Sequence, residues 1–248
     1  VRAAAAASKE RLPADLQLAA NNAPNLCVVA GPTESINGFA ATLDKEGVVA
    51  RPLQTSHAFH SAMMEPIVGE FMAAVGKTRF AAPRIPIMST CLADFMTAET
   101  MASPEYWGKQ LRSPVLFSDA IGKLAQEPGR IFLEVGPKDV LSALTRQHVP
   151  ASQRGTIVTS LGGGTDTQDE LAAFRRAVGN LWVCGKSIDW NALHAAETRR
   201  RIAMPTYPFE RTSYWVEPVR LQGAARAAGS DGRSGDPALR SDDGRAAA

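Results

Sequence analysis

Two histidines three residues apart, His57 and His60, stand in the run Thr55-Ser56-His57-Ala58-Phe59-His60-Ser61. The run lies between a segment that reads as a strand and one that reads as a helix, a place where a neutral imidazole can be held as a general base. Imidazole suits that work because its ordinary titration falls near neutrality, so one ring can take a proton and give it back. A packed or surface histidine is the alternative that spacing alone leaves open. The i, i+3 pair could also ligate a metal, but no third histidine and no flanking carboxylate pair accompanies it, so no metal is expected. A nucleophile for the base is missing from the run. Ser56 and Ser61 flank the base itself, and Ser142 lies mid-helix among leucines. None of them occupies the sharp strand-to-helix elbow that exposes a catalytic hydroxyl.

Other chemistry-bearing patterns are weaker. Gly162-Gly163-Gly164 lacks the spacing of a phosphate-cradling loop and any following Lys-Ser or Lys-Thr, so it reads as a connector. Arg199-Arg200-Arg201 is a short basic run best read as a solvated face. Cys27, Cys91 and Cys184 lie far apart without a Cys-x-x-Cys pair, which argues against a zinc site or a disulfide framework. Apolar neighbours make all three expected buried, inert thiols.

The elements that must position these residues follow from periodicity and punctuation. Residues 16–20 and 26–30 read as short strands joined by the turn Asn21-Asn22-Ala23-Pro24. Val1-Arg2 reads as the end of a further strand. Pro32-Thr33 opens a helix with Ile36, Phe39, Ala40 and Leu43 on one face, and Gly47 stops it. Residues 48–55 read as a strand. Ser61 then caps a helix whose Met63, Met64, Ile67, Phe71 and Val75 form a core-packing stripe. Strands are expected at 85–89 and 130–135, with helices at 106–112, 117–124 and around Val140, Leu141 and Leu144. Such alternation points to an α/β layer. Thr167-Gln168-Asp169-Glu170 matches a capping box for a helix carrying Leu171, Phe174, Val178, Leu181 and Trp182. Pro205 to Trp215 reads as an extended aromatic strap that needs a surface to cover it. Residues beyond Leu221, rich in Gly, Ala, Arg, Asp and Ser, read as linker or tail.

Composition bounds the function. Among 248 residues, 45% are hydrophobic and 21% charged, which suits a soluble protein with a sizeable core. A net charge of +2 creates no field favouring nucleic acid or membrane. No apolar run reaches the about 20 residues of a membrane span, and the opening residues lack the apolar centre of a signal peptide. The cytoplasm is the expected compartment.

Several stretches together resemble the acyltransferase domain of modular type I polyketide synthases. Ser56-His57-Ala58-Phe59-His60-Ser61 with Met64-Glu65-Pro66 is similar to that family's catalytic-histidine segment. Ala19-Ala20-Asn21-Asn22-Ala23-Pro24, running into Cys27-Val28-Val29-Ala30-Gly31, resembles its ferredoxin-like small subdomain. Tyr106-Trp107, Gln110-Leu111-Arg112-Ser113-Pro114-Val115 and Phe117 resemble its next signature, and Phe132-Leu133-Glu134-Val135-Gly136-Pro137 with Val140-Leu141 the one after. Asp189-Trp190 and the segment from Pro205 to Trp215 are similar to the linker that follows the acyltransferase. The likeness runs in the family's order through nearly all of residues 1–218.

The resemblance implies an α/β fold: an incomplete, hydrolase-like parallel-sheet core with a ferredoxin-like small subdomain. It implies a small subdomain over 1–56, the C-terminal part of the large subdomain over 57–155, a post-acyltransferase linker over 156–218 and a flexible tail over 219–248. It implies transfer of a malonyl-type extender unit from coenzyme A, through a serine that these residues lack, to the phosphopantetheine thiol of an acyl carrier protein. His60 would be the general base, oriented by the backbone carbonyl of Gln110. His57, Phe59 and Asn22 would bind substrate, Phe59 filling the space that a branch methyl would occupy. No cofactor is expected in this region. The implied partners are the carrier protein, the coenzyme A thioester, and the adjacent ketosynthase and linker of the same polypeptide, in antibiotic biosynthesis. The residues alone are expected to be inactive and poorly soluble. A non-catalytic scaffold or docking region of a multidomain synthase is the alternative.

Overall fold

The structure, a computed structural model, describes residues 1–161, 170–198, 200, 202–210, 212 and 214–216. Gly162 to Gly164, the capping-box residues Thr167 to Asp169, Arg199 and Arg201, Arg211 and Ser213 of the strap, and the tail lie outside the described residues. The chain forms two units, Val1–Ala195 and Ala196–Ala248.

The first unit begins with helix α1 (Ala5–Lys9), then an antiparallel pair, β1 (Gln17–Ala23) and β2 (Leu26–Ala30). The expected turn at 21–24 is corrected: β1 continues through Asn21 and Asn22 to Ala23. Its backbone has tertiary partners, since the Asn21 amide donates to the Val115 carbonyl at 2.8 Å. Satisfied main-chain groups override the turn preference of an Asn-Asn pair. Irregularities at Leu18/Ala20 and Asn21/Ala23 bend the strand.

Helix α2 (Thr33–Lys45) starts after Pro32 and ends where Gly47 takes φ +74°. Its Phe39 and Leu43 bury with Leu16 under Val1, Leu12, Val29 and Ile36, forming one core cluster. Val1 exchanges two backbone hydrogen bonds with Cys27, and the Arg2 amide donates to Val49. Residues 48–55 are not a strand, which corrects that expectation. The Arg2–Val49 bond is the ladder contact found there, and Pro52 has no amide to donate.

After the histidine run a single 3₁₀ turn (Ala62–Met64) leads into α3 (Glu65–Val75). Two short strands follow, β3 (Met88–Ser89) and β4 (Asp94–Phe95), paired antiparallel. The strand expected over 85–89 shrinks to β3 because Pro86 interrupts the donors. Helices α4 (Ala98–Ala102), α5 (Pro104–Arg112) and α6 (Phe117–Leu124) come next. Thr97 and Ser103 cap α4 and α5 by accepting from Thr100 and Tyr106 amides. Cys91, Met96 and Tyr106 make a second buried cluster, with the Tyr106 hydroxyl 2.8 Å from Ser89 Oγ.

Strand β5 (Phe132–Glu134) pairs in parallel with β6 (Ile157–Thr159) across α7 (Val140–Thr145). The expected strand at 130–135 is trimmed to β5. Its Glu134 carboxylate accepts from the Leu141 and Ser142 amides, tying the strand to the start of α7. Helices α8 (Glu170–Val183) and α9 (Trp190–Leu193) complete the unit.

Two apolar stripes are less buried than their spacing predicts. Met64 is buried, but Met63 and Ile67 are 55% and 45% exposed, and α3 instead turns Val68 and Met72 toward α5. On α8 the small residues Ala173 and Ala177 are buried, while Phe174 and Trp182 face outward. Cys27 and Cys91 are buried as expected, whereas Cys184 is only half-buried. Burial pushes the Cys91 thiol above its ordinary value, with the Lys109 charge opposing that rise.

The second unit shows no helix or strand among its described residues. Tyr207 and Phe209 meet edge to face at 4.8 Å, and Tyr214 and Trp215 are exposed.

Candidate functional site

His60 is the centre of the site and is held in an unusual backbone conformation, φ +59°. A side chain with a β-carbon costs about 1–2 kcal/mol there, so the surroundings must hold it. They do so from both sides. On the C-terminal side the buried Ser61 donates its hydroxyl to the Ala58 carbonyl at 2.6 Å and accepts from the Met63 amide. The Ala62 amide donates to Gln17 Oε1 at 3.0 Å, which ties the turn to the start of β1.

The ring itself is held by main chain. His60 Nδ1 lies 3.2 Å from the Gln110 carbonyl oxygen and 3.1 Å from the Ser113 carbonyl oxygen. Both partners only accept, so Nδ1 carries the hydrogen and Nε2 keeps its lone pair when the ring is neutral. Gln110 lies in the last turn of α5, and Ser113 is the residue just beyond that helix. The two carbonyls are brought to His60 because α3 and α5 pack closely. At Gly108 an added β-carbon would come within 2.8 Å of both Met72 Sδ and Cγ, so a larger residue there requires Met72 to shift. An Arg112–Glu65 ion pair clamps the same two helices at their ends nearest the histidine. Beyond Ser113 the chain pairs with β1: the Val115 amide donates to Ala19, and Val115 accepts from Asn21.

The remaining predicted residues are spread along this frame. Phe59 is 44% exposed, its ring 5.8 Å from that of His57. His57 Nδ1 is 2.9 Å from Ser56 Oγ, and the His57 carbonyl accepts from Thr55 Oγ1. Asn22 stands at the opposite end of β1 from Gln17, beside His148. The structure therefore brings the His60 ring against the Gln110 carbonyl and the His57 ring against Phe59, and it sets Asn22 on β1 beside His148. His148 is buried enough that desolvation pulls its ring below the ordinary value of 6.5, against the Asn22 backbone and the Asp119 charge. Asp119 in turn accepts from Asn21 Nδ2. Two residues that hold His60 and the turn after it were missed in the sequence, Ser113 and Gln17. Pro114 was the available signal for the first, since it marks where α5 must end. Nothing in the pattern of Gln17 announced its contact with Ala62.

Ser56 is exposed and bound to His57, Ser61 is buried against Ala58, and Ser142 is buried with its hydroxyl unpaired. None of these three serines hydrogen-bonds to His60 Nε2. Among the described residues no group of three or more His, Cys, Asp or Glu side chains is placed to hold a metal ion. No helix among them is long and apolar enough to cross a membrane.

The family model described as "Acyl transferase domain" matches residues 1–205. Among curated relatives, the spectinabilin polyketide synthase system protein NorB of Streptomyces orinoci is 33% identical over 222 residues, covering 88% of this chain and 10% of the relative. Polyketide synthase GfsA of Streptomyces halstedii is 35% identical over 211 residues, covering 85% of this chain and 3% of the relative. Among solved structures, the acyltransferase domain from the second module of the salinomycin polyketide synthase superposes with TM-score 0.72 and 30% identity. It is matched over 83% of this chain and 48% of its own. The acyl transferase domain of SpnD, solved with 2-(pent-4-yn-1-yl)malonyl, gives TM-score 0.71 at 29% identity over 75% of this chain and 45% of its own. The chain thus spans about half of each solved domain and a small fraction of each synthase.

Proposed function

Because the chain belongs to the acyl transferase domain family of modular type I polyketide synthases, we propose that it supplies the general base for loading a malonyl-type extender unit onto an acyl carrier protein. The observation that carries this reading is the His60 ring, with Nδ1 between two carbonyl oxygens and Nε2 left to take a proton. In the first half-reaction a serine oxygen from elsewhere in the polypeptide attacks the thioester carbon of acyl-coenzyme A. Its proton passes to His60 Nε2 as the carbon–oxygen bond forms. The tetrahedral adduct then collapses, the carbon–sulfur bond breaks, and Nε2 returns the proton to the departing thiolate. In the second half-reaction the carrier's phosphopantetheine thiol gives its proton to Nε2 and attacks the serine ester. The serine oxygen leaves and recovers that proton. The Gln110 and Ser113 carbonyls accept from Nδ1–H throughout, holding the ring in place as positive charge develops on it.

Phe59 stands one residue from the base and limits room beside the reacting acyl group, favouring an unbranched malonyl unit over an α-branched one. His57 packs against Phe59 and lines the same edge. Gln110 acts through its main chain alone, so its side chain is free to vary. No cofactor is required in this region.

These 248 residues by themselves form no acyl-enzyme in this reading: of the candidate serines, Ser56 is bound to His57, Ser61 is bound to Ala58, and Ser142 is buried. Labelled malonyl-coenzyme A tests this directly. The isolated chain is expected to retain no covalent label, and a polypeptide that also contains the serine elbow is expected to retain it. Label held covalently by the isolated chain contradicts the assignment.

A further inference from the structure

A helix leaves its last carbonyls without intrahelical partners, and the amides of the next residues ordinarily compete to cap them. At the end of α5 that competition has been removed. The Ser113 amide donates to Lys109 at 2.8 Å, as the last helical bond. The Gln110 carbonyl would take its helical hydrogen bond from residue 114, which is proline and has no N–H. The next two amides are drawn away: Val115 donates to Ala19 at 2.9 Å and Leu116 to Thr90 at 2.6 Å. The proline also bars the helical conformation at the preceding residue. Ser113 accordingly sits at φ −82° and ψ 157°, and its carbonyl faces the His60 ring.

We propose that Pro114 is a positioning residue for the base: it withholds an amide from the Gln110 carbonyl and fixes Ser113 extended, so that both oxygens are left to hold His60 Nδ1–H. This rests on the reading of His60 as general base, but the geometry it invokes is testable without any turnover. With an ordinary residue at 114 the helix gains a further bond, the Gln110 oxygen is taken, and Ser113 is free to turn helical. His60 then loses the acceptors that select its tautomer.

The test is ¹⁵N NMR of the full chain, reading the His60 tautomer, with Pro114→Ala and with residue 114 replaced by N-methylalanine, a tertiary amide that lacks the N–H, crowds Ser113 as proline does and leaves the Ser113 amide carbonyl intact. His60 in the unaltered chain is expected to be Nδ1–H. Pro114→Ala is expected to lose that tautomer and to show a residue-114 amide protected from exchange, while the N-methyl variant retains Nδ1–H. In a polypeptide with the serine elbow, Pro114→Ala is expected to lower kcat for serine loading by roughly 10- to 100-fold with KM little changed. An Nε2–H tautomer in the unaltered chain overturns the proposal. So does a Pro114→Ala ring that remains Nδ1–H, or an N-methyl variant that loses Nδ1–H as alanine does. Should the alanine variant fail to fold, the unaltered chain and the N-methyl variant decide. Undiminished loading by His60→Ala would instead sink the general-base reading and leave the tautomer result standing.

Discussion

The strongest constraint on the site is one dihedral angle. His60 sits at φ +59°, a region that glycine enters freely and other residues enter at a cost. Replacing it separates backbone strain from side-chain contacts: His60→Gly is expected to be more stable than His60→Ala by about 1 kcal/mol in urea unfolding. Equal stability would mean that the backbone is not held in this conformation in solution. In the proposed function, the adjacent Phe59 is the residue on which extender choice turns. Phe59→Ser, in a polypeptide that loads its carrier, is expected to raise the methylmalonyl-to-malonyl ratio of kcat/KM by about 10- to 200-fold, one methyl's worth of pocket contact. An unaltered ratio would place the branch-reading surface elsewhere.

At the scale of elements, the packing of α3 on α5 sets the distance between the base and its two carbonyls. Gly108 is a close contact in that packing, and Met72 occupies the space that a β-carbon there would take. Gly108→Ala is expected to destabilise the chain by about 1–3 kcal/mol through overpacking and to slow serine loading as α5 moves back. A variant with unchanged midpoint and rate would show that Met72 simply swings aside. Helices were legible in the sequence where a cap or stop accompanied the apolar repeat, as at Ser61 and at Gly47. Strands were legible most fully where both ladder partners are local, as in β1 and β2, whereas β5, paired with the distant β6, is a shortened form of the expected 130–135. Residues 48–55 have a strand's composition but gain one bond from Arg2, and 85–89 is cut by Pro86. Periodicity reports which side chains alternate and is silent on whether a backbone partner arrives. The site divides the same way. His60 could be named from its motif, while the Ser113 carbonyl is a main-chain group that no side-chain pattern encodes.

At the scale of the whole molecule, one partly buried histidine contributes to the response to acid. His148 packs between the turn after α7 and the far end of β1, its Nε2 buried without a partner. Burial holds its folded-state value below 6.5, so the unfolded chain binds a proton more readily than the folded one. Its contribution to stability is therefore complete above pH 6.5 and is lost as pH falls from there toward the folded value. Urea midpoints across this range are expected to decline for the unaltered chain and to decline less for His148→Asn. Parallel pH profiles for the two would assign the acid response to other groups.

In the proposed function, loading of the carrier begins with a proton passing from a serine hydroxyl to His60 Nε2. Single-turnover acylation by malonyl-coenzyme A, in a polypeptide that joins these residues to the serine elbow, measures that step before carrier transfer intervenes. With His60→Ala the acylation rate is predicted to fall by about 10²- to 10⁴-fold while substrate binding is kept. An acylation rate equal to that of the unaltered protein would contradict the claim.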